Sequence, residues 1–290
     1  GDYRLNIRGG ALAQPSVHSS GYRMYWNDIP ITSASGGNPL GGLDLNFINN
    51  LEIIKGPGSA MYGAGFGGTV LVNTERASQN GTTLNADVML GGYGTLRAST
   101  GVRSNWSQGS LALQYTRSQS EGFRNMTDTE GDIFNLFGQL YTGQKGTLSY
   151  LFNYENRSMN IAGDLDKETF LSAPETANTI EPTGFGPKKT TFGAGYNYRF
   201  NDKITASLGG YYFDNQGEFV MSFPFFAIFD QEPSNGWNSR ATLNYKEQWG
   251  ETQFKLVAGL EYAFANNEGI SYNGDFNTDT AQVTNINRAK

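Results

Sequence analysis

The sequence has few of the residues that catalytic and metal sites require. It contains no cysteine and a single histidine, His18. The absence of cysteine excludes disulfides, thiolate metal sites and thiol catalysis together. One histidine without cysteine also gives no basis for a transition-metal site made of protein ligands. We therefore expect no thiol catalysis and no transition-metal site made of protein ligands.

Charge and long apolar runs are also scarce. Only 17% of the residues are charged, the formal net charge is −6 and no basic tract is present, so nucleic acid is not an expected partner. The most apolar stretch, residues 219–229, is interrupted by Ser222 and Pro224 and is much shorter than the about 20 residues of a membrane helix. Abundant residues are glycine, with 38 copies, and aromatics, at 13%. This composition favours many short strands and turns over a helical bundle.

From residue 81 onward, nine segments alternate apolar and polar residues with a period of two, which predicts half-exposed β-strands. One row of each segment is mainly apolar or aromatic and carries no charge. These rows cover 84–90, 96–102, 111–115, 134–140, 148–154, 192–200, 204–212, 237–245 and 254–264. The interleaved rows are rich in Ser, Thr, Asn, Gln and Gly. They also hold all the charges of these segments: Asp87, Arg97, Arg103, Arg199, Arg240, Lys246, Lys255 and Glu261.

Such alternation is typical of both a soluble β-sandwich and a transmembrane β-barrel. Three features favour the barrel: aromatic residues near the ends of many apolar rows, a polar row suited to a hydrated lumen, and connections that alternate in length. Short connections, at 107–109, 143–146, 201–203 and 247–252, are interleaved with long ones at 117–132, 155–190 and 213–236. We therefore predict a mainly β fold with about nine antiparallel transmembrane strands over residues 77–290.

Residues 1–76 differ from the rest and predict a small α+β unit with glycine-rich junctions. Four blocks follow one another in this region: LNIRG from Leu5, YWNDIPI from Tyr25, LEIIKGPGSAMYG from Leu51 and GGTVLVNT from Gly67. In order and spacing they resemble the plug domain of TonB-dependent outer-membrane receptors. Two positions depart from that pattern, because Asp28 is not followed by glycine and Lys55 stands where arginine is commoner.

The resemblance implies an N-terminal plug, of which residues 1–76 would supply part, inside an antiparallel barrel of 22 strands. A receptor of this kind performs no covalent chemistry, so the resemblance implies neither an enzyme nor a cofactor. Residues 77–290 would supply only the first nine or so, at about 24 residues per strand, so the barrel requires a longer chain. The plug motif residues are Glu52, Gly56, Pro57, Tyr62, Gly63, Gly67 and Gly68. A lock between plug and barrel is expected to pair Arg8 and Lys55 with Glu261.

The resemblance also implies a function, namely active uptake of a scarce substrate across the bacterial outer membrane. TonB and its inner-membrane energising complex would be partners, together with outer-membrane lipid and a small-molecule chelate, an iron chelate first. Candidate substrate contacts are His18, Tyr22 and Arg23, although His18 is also interpretable as a solvated loop residue. The alternatives are a receptor for cobalamin or a glycan, and a barrel that docks a surface partner such as a lipoprotein.

Three local patterns have plainer explanations. Residues 63–68 match G-x-G-x-x-G, but a short helix is expected before them and a strand after them, the reverse of a nucleotide-binding turn. Asp164, Asp166 and Glu168 lack the spacing of a calcium loop and are interpreted as a solvated acidic loop. The aromatic run at 219–229 is predicted to pack within an assembly of loops.

Overall fold

The computed structural model describes residues 22–32, 50–56, 59–62, 67–73, 80–178, 183–222, 226–275 and 280–289. The described part is mainly strand, as predicted, and forms two sheets. Four residues singled out from the sequence lie outside it: Arg8, His18, Pro57 and Gly63. No helix in the described ranges is long and apolar enough to cross a membrane.

The small sheet has four strands in the order β2-β1-β4-β3. They are β1 (Tyr22–Trp26), β2 (Ile29–Pro30), β3 (Asn50–Lys55) and β4 (Gly68–Asn73), with a short helix α1 (Ser59–Tyr62) between β3 and β4. Strands β1 and β4 are parallel, and the other pairs are antiparallel. The sequence 63–68 thus follows a helix and precedes a strand, as expected for a segment that does not bind nucleotide.

Two positions show why the motif residues suit this sheet. Asn27 and Asp28 join β1 to β2 with φ of 45° and 70°, the double left-handed conformation of a tight hairpin turn. Aspartate tolerates that conformation better than most residues, which explains how Asp28 can be followed by a strand residue instead of glycine. At Gly68, a Cβ would lie 2.2 Å from the Ile54 carbonyl oxygen, so only glycine fits.

The large sheet is an antiparallel series of eleven strands. Its strands are β5 (Gly81–Leu90), β6 (Leu96–Trp106), β7 (Gly109–Ser120), β8 (Thr129–Thr142), β9 (Gly146–Ile161), β10 (Thr183–Gly186), β11 (Lys188–Arg199), β12 (Ile204–Ser222), β13 (Phe226–Trp249), β14 (Thr252–Asp275) and β15 (Thr280–Ala289). A helix α2 (Lys167–Ser172) lies in the connection between β9 and β10. The nine predicted segments correspond to β5–β9 and β11–β14.

The connections predicted at 155–190 and 213–236 are shorter than expected. Strand β9 continues to Ile161, and β10 and β11 both pair with β9 and β12, interrupted only at Pro187. Strands β12 and β13 remain paired as far as Ser222 and Ala227. The alternation of apolar and polar residues ends before the strand pairing does. In a membrane barrel, paired strands that extend beyond the apolar layer of the bilayer need no apolar row. Residues 219–222 and 226–229 of the aromatic run therefore lie in two paired strands, and residues 223–225 lie outside the described residues.

The two faces of the large sheet differ as the alternation predicts. One unbroken row of cross-strand partners runs Leu84, Val102, Leu113, Leu136, Phe152, Phe192, Tyr212, Trp237 and Phe264. On this outer face Leu84 and Leu260 are 79% and 76% exposed. On the other face, called the inner face because the small sheet packs there, Asn135, Ser149 and Asn238 are buried. Apolar outside and polar inside is the distribution of a membrane barrel wall.

Aromatic rings on the outer face cover glycines of the neighbouring strand. Gly138 and Tyr150 are direct partners across β8 and β9. A Cβ on Gly138 would lie 2.2 Å from the Tyr150 ring, so the ring occupies the space that any other side chain would need. Coverage of a glycine by a cross-strand aromatic helps to fix strand register.

We predict that Gly138→Ala and Tyr150→Ala are coupled in stability. Alone, Gly138→Ala displaces the ring and lowers the free energy of unfolding by about 1–3 kcal/mol. With Tyr150→Ala present the same change costs little, giving a coupling of about 0.5–3 kcal/mol. Denaturant titration of the full-length protein in phospholipid vesicles measures both. Strictly additive effects would show that the ring does not restrict this position.

Candidate functional site

The small sheet packs its apolar face on the inner face of the large sheet. Tyr22, Met24 and Trp26 of β1 share one buried cluster with side chains of the wall, the name used here for the large sheet. Trp26 stacks on Phe137 with ring centroids 6.0 Å apart and planes at 15°. This contact fixes which part of the wall the hairpin β1–β2 meets.

Three glycines leave a flat area on the inner face of the wall, called the glycine window, on which the hairpin β1–β2 packs. Gly195 and Gly209 are direct partners across β11 and β12, and Gly193 lies on the same inward row. A Cβ on Gly195 would be 3.0 Å from Ile29 Cγ1, and one on Gly209 would be 3.4 Å from the Asp28 carbonyl oxygen. Side chains at these positions would hold the hairpin away from the wall, so the glycines permit the close approach.

A polar cluster joins the other face of β1 to the wall. This latch cluster comprises Arg23, Tyr25 and Tyr62 of the small-sheet unit, with Arg240 of β13 and Glu261 of β14. Arg240 and Glu261 are direct cross-strand partners, and their place in the alternation turns both inward. The Tyr25 hydroxyl lies 2.8 Å from Glu261 Oε2 and 2.8 Å from the Tyr62 carbonyl oxygen.

Cations surround this tyrosine pair. Arg23 Nη1 lies 3.9 Å from Glu261 Oε1, so the two carboxylate oxygens of Glu261 have different partners. The Arg240 guanidinium lies 4.5 Å from the Tyr25 ring centroid and 5.2 Å from that of Tyr62, and it donates to the Met61 carbonyl oxygen. Arginine over aromatic faces is attractive even when partly hydrated.

The electrostatics of the cluster keep Tyr25 as a neutral donor. Burial raises the pKa of Tyr25 above its ordinary value, and the negative charge of Glu261 raises that pKa further. The pKa of Tyr62 is also raised, mainly by burial. The hydroxyl therefore keeps its single proton, which two acceptors must share. The ion pair is long, at 3.9 Å, and about a quarter of each of its side chains is exposed, so it is weaker than a close and fully buried pair.

The tip of the hairpin does not seal against the wall. A gap of about 30 Å³ remains there, lined by Asn27 and Asp28 of the turn and by wall residues that include Asn197, Arg240 and Thr242. Its lining is polar, so this end of the contact is hydrophilic, in contrast to the apolar contact at Trp26.

The structure places the sequence-predicted residues in different surroundings. Glu261 lies in the latch cluster, but its cationic partner is Arg23, and no ion pair joins Glu261 to the exposed Lys55 in the described ranges. Tyr22 is 6% exposed in the buried cluster. The substrate contacts proposed at Tyr22 and Arg23 stay predictions, and Arg8 and His18 lie outside the described residues. No group of three or more potential metal ligands occurs in the described part.

The plug-motif residues surround α1. Glu52 is exposed on β3, Gly56 has φ of 96° just after it, and the Gly56 N–H donates to the Gly67 carbonyl oxygen at 3.5 Å. Tyr62 is the last residue of the helix and belongs to the latch cluster. Two important residues were missed by sequence reasoning. Arg240 stands in the inward charged row, so the sequence could have suggested that it contacts the plug. Tyr25 stands in the second motif block, but nothing in the sequence indicated that it contacts the wall.

Comparisons with known proteins agree with this architecture. Residues 1–70 match the family model of the TonB-dependent Receptor Plug Domain. The structure is similar to the unliganded ferric citrate transporter FecA, with a TM-score of 0.76 and 13% identity over 94% of this chain and 42% of that one. It is also similar to the copper transporter OprC, with a TM-score of 0.68 and 15% identity over 92% and 42%.

A third similar structure is the ferripyoverdine receptor of the outer membrane of Pseudomonas aeruginosa, with a TM-score of 0.67 and 12% identity over 94% and 42%. This chain thus spans 42% of the length of each of these three proteins. The matching family is one of receptors and not a class of enzymes. The first 70 residues therefore carry a TonB-dependent receptor plug domain, and the chain has the fold of part of such a receptor, a plug within a barrel wall.

We predict that Glu261→Ala weakens the contact between plug and wall by about 1–3 kcal/mol, because the buried Tyr25 hydroxyl loses a charged acceptor. Amide hydrogen exchange of β1 in the full-length protein should accelerate accordingly. Glu247→Gln is the matched control, since it breaks an ion pair with Lys203 of 2.8 Å that lies away from the plug. Equal exchange in both variants would remove Glu261 from the lock.

We predict that the double change Gly193→Ala and Gly195→Ala displaces the hairpin. Both new methyl groups would crowd Ile29, which is fully buried, and overpacking of this kind costs about 1–3 kcal/mol. Amide hydrogen exchange of β1 in the full-length protein is the measurement, and it should become faster when the hairpin is displaced. Gly92→Ala, where a Cβ meets nothing within 4 Å, is the control and should leave exchange of β1 unchanged.

Proposed function

We propose that this chain is the plug, residues 1–76, and the first part of the barrel, residues 77–290, of an active transporter in the bacterial outer membrane. Its substrate would be a scarce chelate, with an iron chelate as the first candidate. TonB and its inner-membrane complex would supply the energy that opens the plug. The outer apolar rows would contact lipid, and the inner face would border the substrate path.

The latch cluster is the observation that carries this proposal. A plug that must open and close repeatedly needs contacts specific enough to restore its position and weak enough to break. In the latch cluster one carboxylate, Glu261, holds Arg23 and Tyr25, and each bond can be exchanged for water. The apolar contact of Trp26 with Phe137 would be harder to separate than these polar bonds, and work supplied by TonB would separate it.

The substrate class rests on likeness alone. Two of the similar structures carry the words ferric citrate and ferripyoverdine in their descriptions, and a third is described as a copper transporter. These words apply to those proteins. They support a chelated metal ion as the first class to test here, with cobalamin and glycans as further classes.

A second candidate function is docking of a surface partner. Helix α2 lies in the long connection between β9 and β10 and exposes Phe170 and Leu171, at 61% and 71%. Adjacent exposed apolar side chains in a connection are typical of protein–protein contact. A barrel that only docks a partner would have no need to move its plug.

Tethering the plug to the wall tests the transport proposal. The sequence has no cysteine, so Ile29→Cys with Gly195→Cys provides one possible disulfide. The Cβ built on Gly195 lies 3.0 Å from Ile29 Cγ1, within reach of the Cβ–Cβ separation of about 3.5–4.5 Å that a disulfide needs. Uptake of radioactive iron, supplied as ferric citrate or as ferripyoverdine, is measured in cells before and after reduction.

We expect uptake to stop in the oxidised double variant and to return, on reduction, to the rate of the single-cysteine variants, which carry the same changes in packing without the tether. Unchanged uptake with the disulfide formed would show that the hairpin does not leave the wall. No uptake of either iron chelate by the parent protein, together with uptake of cobalamin or a glycan, would reassign the substrate. Absence of uptake for every class would favour docking.

A further inference from the structure

The inward charges of the wall are unevenly distributed. One rim of the wall is made by the short turns at 107–108, 143–145, 200–203 and 250–251. Between this rim and the middle of the strands, the inward rows contain one acid, Glu261. The basic residues there are Arg103, Arg199, Arg240, Lys246 and Lys255. The latch cluster uses Arg240 and Glu261. The other four charges of these inward rows, Arg103, Arg199, Lys246 and Lys255, are all positive. In the proposed orientation, short turns face the periplasm.

Lys246 and Lys255 are two inward-facing positive charges that take no part in the latch cluster. They are direct cross-strand partners on β13 and β14, and both are exposed. No ion pair joins either ammonium to a carboxylate within the part of the chain that the structure describes. Like charges directly opposite each other destabilise a strand pair. Two lysines at this position therefore carry a cost that the described structure does not offset.

The alternation of the strands directs both lysines away from lipid. Their neighbours Tyr245 and Phe254 point to the outer face, where the two rings contact each other at 6.3 Å. The adjacent acid Glu247 also points outward and is bonded to Lys203 at 2.8 Å. Glu251, in the turn between the two strands, forms no ion pair with either lysine among the described residues, so neither of these nearby carboxylates neutralises them.

We propose that Lys246 and Lys255 form a binding site for a small polyanion on the inner wall beside the short-turn rim. The ligand chemistry is a phosphate group or at least two carboxylate groups, because two adjacent ammonium groups give charge-assisted hydrogen bonds to several oxygens of such a ligand. A one-signed surface on a low-dielectric wall also raises the local concentration of anions. The proposal rests on the proposed function, in which an anionic solute would meet this site after it passes the plug.

Lysine reactivity tests the site directly. The full-length protein in detergent is acylated, and the rate at each lysine is followed by mass spectrometry in citrate, in inorganic phosphate and in sodium chloride of equal ionic strength. We expect citrate to slow Lys246 and Lys255 at least threefold, and the ion-paired Lys203 to be unaffected. Lys255→Gln should remove the protection of Lys246, and Lys255→Glu should do the same while raising the Tm without ligand.

The outcomes separate the possible sources. Protection by both citrate and phosphate assigns a general polyanion site, and protection by citrate alone assigns a carboxylate site. Equal slowing in sodium chloride, or two lysines already unreactive before any anion is added, overturns the proposal, since either ionic strength or an acid of the protein then accounts for the pair. The assay measures no transport, so it can succeed or fail independently of iron uptake.

Discussion

Every part of this structure depends on the two-residue period of its strands. Consecutive side chains leave a strand on opposite faces, so one register decides at once which residues meet the apolar surroundings and which meet the small sheet. The unbroken row from Leu84 to Phe264 shows that this register is kept across nine strands. A slip by one residue in β14 would turn Glu261 outward and Leu260 inward. The latch and the apolar surface would then be lost together.

The contact between plug and wall combines two kinds of interaction with different roles. The glycine window and the Trp26–Phe137 stack fix position through shape, because they allow one close approach of the hairpin. The latch cluster adds charge and hydrogen bonds at a single acid, where water can compete. In the proposed transport cycle, shape would restore the hairpin to the same place after each displacement, and the polar bonds would set how easily it leaves.

The sequence predicted what depends on local pattern and missed what depends on distant pairing. Alternation located nine strands and their faces, since charge is excluded from an apolar surface over the whole length of each segment. The extended pairing of β12 with β13 was missed, because residues such as Asp214 and Glu218 can pair there without any apolar row. Glu261 was the one acid of the inward rows that the sequence nominated for the lock. Its pairing with Arg23 depends on how β1 lies against the wall, which no local pattern records.

The length of β13 and β14 has a mechanical consequence. Each has 24 residues, which at about 3.3 Å per residue makes a strand about 80 Å long. Even at a tilt of about 45°, such a strand rises roughly 55 Å, against a hydrocarbon layer of about 30 Å. In the proposed orientation this ribbon stands well above the cell surface. The outer end of this ribbon would then be within reach of an antibody or a bacteriophage that approaches from outside.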